Sequence, residues 1–226
     1  MNRQDNLQTT FDHLIFASYV LEDGVNFIHE QLGVRPQKGG QHLTMGTHNA
    51  VLKLADTTYL EVIAIDPSLP KPSRPRWFGM DNLQPDSPPQ LLTWVVRTTD
   101  IQRAVRHSSW QLGTIESLQR GIYHWQIAIT EDGQLPLQGI APTVIQWKDE
   151  THPAQGLPAS EVTLTGIEAL HSNAADLNAW LTEIGYDGPS FLANTITTDE
   201  TCRLKVTLRC TKGLVTFESF STPKEG

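Results

Sequence analysis

The sequence predicts an α+β fold built of repeated small modules, and three observations carry that prediction. Apolar residues alternate in short runs, among them FDHLIFAS, AVLKLA, YLEVIAI, LLTWVVRT and YHWQIAI, which is the period of half-buried strands. Between the runs lie helix-like stretches ending QLG, QLG and EIG, at Gly33, Gly113 and Gly185. Alignment on those glycines, 80 and then 72 residues apart, places His13, Thr93 and Thr165 at one position of an opening strand. That period is too long for a solenoid repeat and suits a small strand–helix–strand–strand unit.

The first module covers about 11–66. FDHLIFAS reads as a strand with His13, Ile15 and Ala17 on one face. In VLEDGVNFIHEQLG, Val25, Ile28, His29 and Leu32 recur at helical spacing, and Gly33 stops the helix. HLTMGT, AVLKLA and YLEVIAI follow as strands, with turns near His48-Asn49 and Asp56-Thr57. Residues 67–89 then hold half of the 14 prolines, which excludes regular helix and central strand. Such a long, stiffened loop suits a functional cover.

The second module covers about 90–149. LLTWVVRT reads as a strand, and DIQRAVRHSSWQLG as a helix opened by Asp100 and closed by Gly113. YHWQIAI and TVIQWK are its later strands. After the loop DETHPAQGLP comes a third module, about 160–220. It holds the strand VTLTGIEAL, the helix SNAADLNAWLTEIG with a Ser or Asn cap, and a hairpin of CRLKVTLRC and LVTFESF turning at Lys212-Gly213.

The totals exclude several classes. A chain of 226 residues with 38% hydrophobic content has enough material for a core. A net charge of −8 disfavours binding to phosphate backbones, so nucleic acid is not an expected partner. No apolar run reaches bilayer length, and MNRQDNLQTT lacks the apolar centre of a signal peptide, so a cytoplasmic protein is expected, with no membrane partner. Cys202 and Cys210 on one strand would lie ~26 Å apart, beyond disulfide reach. The absence of a Gly-rich phosphate loop, GxSxG, CxxC or HExxH argues against nucleotide enzymes, serine hydrolases of that type and zinc peptidases.

Several residues carry chemistry. Glu61 shares a face of YLEVIAI with Tyr59 and Ile63; if that face is inward the carboxylate needs a partner, and if outward it is solvated. The pattern leaves both open. His13 and His42 are structural histidines or site residues by the same logic. Arg74, Arg76, Trp77 and Phe78 form a basic-aromatic cluster: a lid that meets an anionic substrate, or a loop pinned by buried rings. His124 alternates with its neighbours and is a candidate cleft residue. His152, before a proline, receives no role.

The DH pair on the first strand, GGQHLTMGTHNAVLKL, and YLEVIAIDP followed by RWFGMD together resemble the glyoxalase-like domains of the vicinal oxygen chelate superfamily. That group also includes glyoxalase I, extradiol dioxygenases and bleomycin-resistance proteins. The resemblance is sharp over 11–80, weaker at VIQWKDETHP, and fades afterwards. It implies βαβββ modules whose curved mixed sheets enclose a cleft, as one glyoxalase-like domain over 1–226. It implies a divalent metal (Zn, Ni, Mn or Fe) held by a His or Gln from the first strand and a Glu from the fourth strand of each paired module. Residue by residue, His13 and Glu61 match those ligands, and His42 matches the histidine of GGxHxxxGTxN. Thr93 and Thr165 stand where further histidines are expected, while Gln146 and Glu218 align with Glu61, and Glu218 is the better ligand.

The site expected from this is metal ligands His13, Glu61 and Glu218, catalytic Glu61 and His42, and substrate-binding Arg76, Trp77 and His124. The implied activity is that of a metal-dependent lyase or isomerase, or a dioxygenase, acting on a small oxygen-rich molecule. The alternatives are a binding or sequestration protein with the same cleft, and a structural module, which a cleft packed with Trp and Leu would favour. The partners expected are a small-molecule ligand and a second copy of the chain, as a homodimer.

Overall fold

The computed structural model describes residues 7–196 and 201–219. The N-terminal residues 1–6 and Phe220, read above, lie outside them. In chain order the elements are β1 (Thr9–Ala17), α1 (Leu21–Leu32), β2 (Gln37–His42), β3 (Thr47–Ala55), β4 (Thr58–Ile65), β5 (Gln90–Thr98), α2 (Ile101–His107), β6 (Thr114–Arg120), β7 (Tyr123–Ile129), β8 (Thr143–Trp147), β9 (Thr163–Leu170), α3 (Ala174–Glu183), β10 (Phe191–Asn194), β11 (Arg203–Cys210) and β12 (Gly213–Glu218). The fold is α+β.

The first two modules form one eight-stranded sheet, in the order β2-β3-β4-β1-β5-β8-β7-β6. They join where β1 pairs antiparallel with β5, and within each module the first strand pairs parallel with the last, β1 with β4 and β5 with β8. The partner of the first module is therefore the second. The sheet curls until its edge strands β2 and β6 lie against each other.

Both faces of this sheet are buried, so its central strands are apolar on both sides. The outer face presents Leu14, Phe16, Leu60, Val62, Trp94, Val96 and Val144 to Ile28 and Leu32 of α1, Ala104 of α2, and Ile167, Leu204 and Phe217 of the third module. Phe16 meets Phe217 edge-on at 4.9 Å, which seats the third module there. Each such fully buried side chain contributes ~1.5–3 kcal/mol. The concave face carries Ile15, Ala17, Ile63, Val95, Trp125, Ile127 and Ile145. Trp77, Phe78 and Met80, from the proline-rich segment, pack into that concavity. Phe78 takes a left-handed conformation there, with φ 59°, beside Gly79.

One irregularity matters for the site. The β1–β5 register runs Phe11↔Val96 and then His13↔Val95, so Asp12 is a bulged, unpaired residue. The bulge keeps Phe11 in the outer core and lets His13 face the concavity.

The structure corrects several expectations. The second helix ends at His107, not Gly113. Ser108 Oγ accepts from the Trp110 backbone N–H at 3.0 Å and from Trp180 Nε1 at 2.8 Å, a local alternative to further helix. Gly113 instead allows a close approach: a Cβ there would lie 2.1 Å from the Ile129 carbonyl oxygen. HLTMGT is not a strand, since β2 ends at His42 and a turn through Gly46 (φ 61°) leads into β3. The last hairpin turns at Thr211-Lys212, one residue earlier than expected, because Cys210 pairs with Gly213.

The third module repeats the order of elements but not the sheet order. Its four strands run β10-β9-β11-β12, so its last strand pairs with β11 alone at an edge and not with its first strand. Cys202 and Cys210 are both free thiols, as expected. No helix of the described residues is long and apolar enough to cross a membrane.

Candidate active site

Between the concave sheet and the Trp77–Phe78 turn lies a cavity of about 20 Å³. It has room for about one water molecule. His13, His42, Asn49, Tyr59, Glu61, Trp77, Phe78, Arg120, Trp125, Ile127, Ile145 and Trp147 line it. Its polar side chains come from β1 to β4 and, as Arg120, from β6, and its apolar wall from β7, β8 and the turn.

Glu61 faces inward on β4 and is only 5% exposed. Its Oε1 accepts from Asn49 Nδ2 at 2.5 Å, and His42 Nε2 stands 3.9 Å from the same oxygen. Its Oε2 lies 3.5 Å from His13 Nε2. Asn49 Oδ1 in turn accepts from the Gly40 backbone N–H at 2.9 Å. A Cβ on Gly39 would stand 2.0 Å from that Asn49 oxygen. The GGxHxxxGTxN spacing thus has a physical reading: the glycines admit the asparagine that fixes the carboxylate.

His13 is held from behind. Its Nδ1 meets Asp12 Oδ1 at 2.6 Å, and its ring stacks on Tyr59 with centroids 4.4 Å apart. Asp12 is fully buried. Its Oδ2 accepts from Trp147 Nε1 at 2.9 Å and lies 3.2 Å from His152 Nε2 and 3.4 Å from Arg97 Nη1. Burial alone would raise the pKa of Asp12, but hydrogen bonds from His13 and His152, with their charge, outweigh it and hold the carboxyl well below the usual range.

His42 Nδ1 lies 3.0 Å from Thr47 Oγ1, and its ring meets Trp77 edge-on at 5.0 Å. Burial, and after it the charge of Arg120, push this imidazole well below its ordinary pKa, so it is neutral at pH 7. Tyr59 is pushed up, by burial first and then by Glu61, and keeps its phenolic proton.

The structure brings together His13, His42, Glu61 and Trp77, and separates them from the other expected residues. Glu218 lies on β12 in the second sheet, half-exposed and 3.6 Å from Arg203 Nη1. Gln146 points to the outer face, where its Oε1 accepts from the Ile101 backbone N–H at 2.8 Å, and Ile145 takes the inward position. His124 alternates with the inward Trp125 and so faces away from the cavity. Arg76 is buried against Asp81 at 2.5 Å and pins the turn. Residue type and spacing alone give no cavity role to Asp12, Asn49, Tyr59, Arg120, Trp125, Trp147 or His152, which the fold brings to or beside it. Asp12, an acid inside the apolar run TTFDHLIFA, carried the clearest missed signal.

The residues present do not fit a four-ligand metal centre. Among the described residues no group of three or more His, Cys, Asp or Glu side chains is placed to hold a metal ion. On the second module's half, Val95, Ile145, Trp125 and Ile127 face the concavity, and Thr93 pairs with the inward Ile15. None is a divalent-metal ligand of the kind this chemistry needs.

Comparison with known proteins agrees with this architecture. A family profile described as a glyoxalase-like domain matches residues 11–185. A hypothetical protein from Staphylococcus aureus has a similar fold, with TM-score 0.57 and 15% identity, covering 93% of this chain and 85% of that one. Methylmalonyl-CoA epimerase from Mycobacterium tuberculosis matches with TM-score 0.40 and 16% identity, over 61% of this chain and 85% of that one. A single-substitution variant of Streptomyces coelicolor methylmalonyl-CoA epimerase, in complex with 2-nitronate-propionyl-CoA, matches with TM-score 0.41 and 16% identity, over 65% of this chain and all of that one. No curated protein is significantly similar in sequence. The chain belongs to the glyoxalase-like domain family.

Proposed function

We propose that the chain is a small-molecule enzyme in which Glu61 moves a proton on a carbon beside a carbonyl or hydroxyl oxygen, as in a lyase or isomerase. The observation that carries this reading is the buried Glu61 carboxylate, with one oxygen fixed by Asn49 and the other 3.5 Å from His13 Nε2. That separation is too long for a hydrogen bond, so Oε2 is free to accept a proton. In the step proposed, Oε2 takes the proton from the substrate carbon. His13 Nε2 receives it in turn, and the ionised Asp12 stabilises the imidazolium, as the aspartate of a catalytic triad does. Delivery of the proton to the carbonyl oxygen gives an enol; loss of a hydroxyl proton from that enol, with proton return to the neighbouring carbon or to the other face of the same carbon, completes an isomerisation or an epimerisation. Neutral His42 and Arg120 face the same space and favour the developing oxyanion.

Positioned acid–base catalysis contributes ~10²–10⁴-fold. The test is proton NMR in D2O with a panel of small 2-oxo and 2-hydroxy acids and amides. The wild type should exchange the proton next to the carbonyl or hydroxyl carbon, and Glu61→Gln should lose most of that rate. Exchange at the wild-type rate in Glu61→Gln, or no exchange of any panel member, defeats the reading.

A divalent metal, and with it dioxygenase chemistry, is the rival form of this proposal. His13 and Glu61 have suitable donor chemistry for it, and the missing second half of the ligand set counts against it. A structural or sequestering module is favoured by one observation: the cavity is about 20 Å³ and Trp77 and Phe78 fill the concavity above it. We also propose a cytoplasmic location and a homodimeric state; the net charge of −8 supports only the first, by disfavouring anionic membrane surfaces. Cell fractionation and light scattering test those two points.

A further inference from the structure

We propose that Arg120 and the indole N–H of Trp77 form a carboxylate-recognition site, so that the substrate class is a small carboxylic acid. This inference rests on the proton-transfer reading and names the class of molecule that the same cavity takes.

Arg120 ends the edge strand β6 and reaches the cavity that Glu61, His13 and His42 line. It gets there by lying across β2. A Cβ on Gly40 would stand 3.0 Å from both Cγ and Cδ of Arg120, so the second glycine of GGQH makes room for this side chain. Its guanidinium sits over the Tyr123 ring at 5.6 Å from the centroid, which holds the flat group without neutralising it.

The charge of Arg120 is unmatched. Arg35, Arg74, Arg76, Arg97 and Arg203 each stand within ion-pair distance of a carboxylate. Among the described residues, none lies within that distance of Arg120. Its field reaches into the cavity, where it acts on both His42 and Tyr59. A second, independent feature points to an acceptor. Trp77 lines the same cavity, is 3% exposed, and its Nε1–H has no hydrogen-bond partner. Buried donors of this kind are normally paired.

A planar anion that only accepts hydrogen bonds suits both groups, and a carboxylate matches the guanidinium fork. With the Trp77–Phe78 turn in place the cavity holds about one water, so an acid enters only as that turn draws back and uncovers the Trp77 N–H, and the smallest acids need the least displacement. A carboxylate at Arg120 keeps the substrate in the cavity that holds Glu61.

The experiment is a tryptophan-fluorescence titration, since Trp77, Trp125 and Trp147 all line the cavity. The probes are pyruvate, its neutral analogue pyruvamide, and inorganic phosphate. Pyruvate should bind saturably to the wild type, at least 10-fold more weakly to Arg120→Gln, and with partial recovery in Arg120→Lys, all at unchanged thermal midpoints. Pyruvamide and phosphate should bind at least 10-fold more weakly than pyruvate. Absent pyruvate binding, equal binding of pyruvamide or phosphate, or Arg120→Gln within twofold of wild type would overturn the inference. Pyruvate binding that depends on Arg120 without any Glu61-dependent exchange would refute only the proton-transfer reading.

Discussion

Asp12→Ala probes the group on which the site's geometry depends. The substitution removes a fully buried carboxylate that meets His13 Nδ1 at 2.6 Å, Trp147 Nε1 at 2.9 Å and His152 Nε2 at 3.2 Å. Those ring nitrogens lie in or beside the cavity and would lose their acceptor without gaining water. Breaking a buried ionic network by deleting one partner costs ~3–5 kcal/mol. For a chain of this size each kcal/mol moves the melting temperature by ~2–4 °C, so the variant should melt ~6–20 °C lower. Asp12→Asn keeps the shape and one acceptor oxygen and should lose ~1–3 kcal/mol, the cost of a buried donor left unpaired. Urea unfolding followed by far-ultraviolet circular dichroism and by tryptophan fluorescence measures both, and coincident curves establish two-state behaviour. Asp12→Ala within ~1 kcal/mol of wild type, or no less stable than Asp12→Asn, would refute the view that this carboxylate organises the site.

Three further outcomes are expected. His42 resists protonation when folded, whereas an unfolded imidazole titrates near ~6.5. Below that value the unfolded state therefore binds the extra proton, and stability falls with falling pH at up to ~1.4 kcal/mol per unit for one histidine. His42→Gln should flatten the loss between pH 7.5 and 5 in urea titrations, and equal slopes would contradict the assignment. Protein purified without a polyhistidine tag should carry well under one Zn, Ni, Mn or Fe per chain by elemental analysis. Stoichiometric metal that disappears in Glu61→Ala would overturn the donor-set argument. Gly24→Ala in α1 places a Cβ 2.6 Å from Val62 Cγ1 and 2.8 Å from Ser18 Cβ. Overpacking of ~1–3 kcal/mol should outweigh the helix-propensity gain of ~1 kcal/mol, and a stabilised variant in chemical denaturation would show that reasoning to be wrong.

The module pattern is legible because β1, β3 and β4 are short apolar runs rich in β-branched and aromatic residues between turn residues, and α1 has a glycine stop at Gly33. The face of Glu61 was not legible from alternation, because β4 is buried on both sides and reads apolar throughout. The alignment at β8 selected Gln146, yet the neighbouring Ile145 points inward; a one-residue difference of register exchanges the two faces. Glu218 looked equivalent to Glu61 because element order is written in sequence and strand pairing is not. The strand β6, TIESLQR, is not legible in the sequence because its partly exposed edge residues carry no apolar alternation. The roles of Asp12 were hidden by distance along the chain, since its partners Arg97, Trp147 and His152 lie 85, 135 and 140 residues away.

The concave face is asymmetric, and that asymmetry bears on what the site can accept. The second module supplies no inward ligand, but Arg97, Trp147 and His152 hold Asp12 from behind. An ionised Asp12 at 2.6 Å draws a proton to His13 Nδ1. When the imidazole is neutral, its lone pair is then on Nε2. That lone pair faces the Glu61 carboxylate at 3.5 Å, too far for a hydrogen bond and too close for two bare acceptors to be comfortable. One proton, or one hydrogen-bond donor, between the two atoms removes the repulsion. The apolar wall of Trp125, Ile127 and Ile145 offers no such donor. A hydrogen-bond donor entering the cavity would meet both atoms at once, which is the placement a proton-transfer site needs.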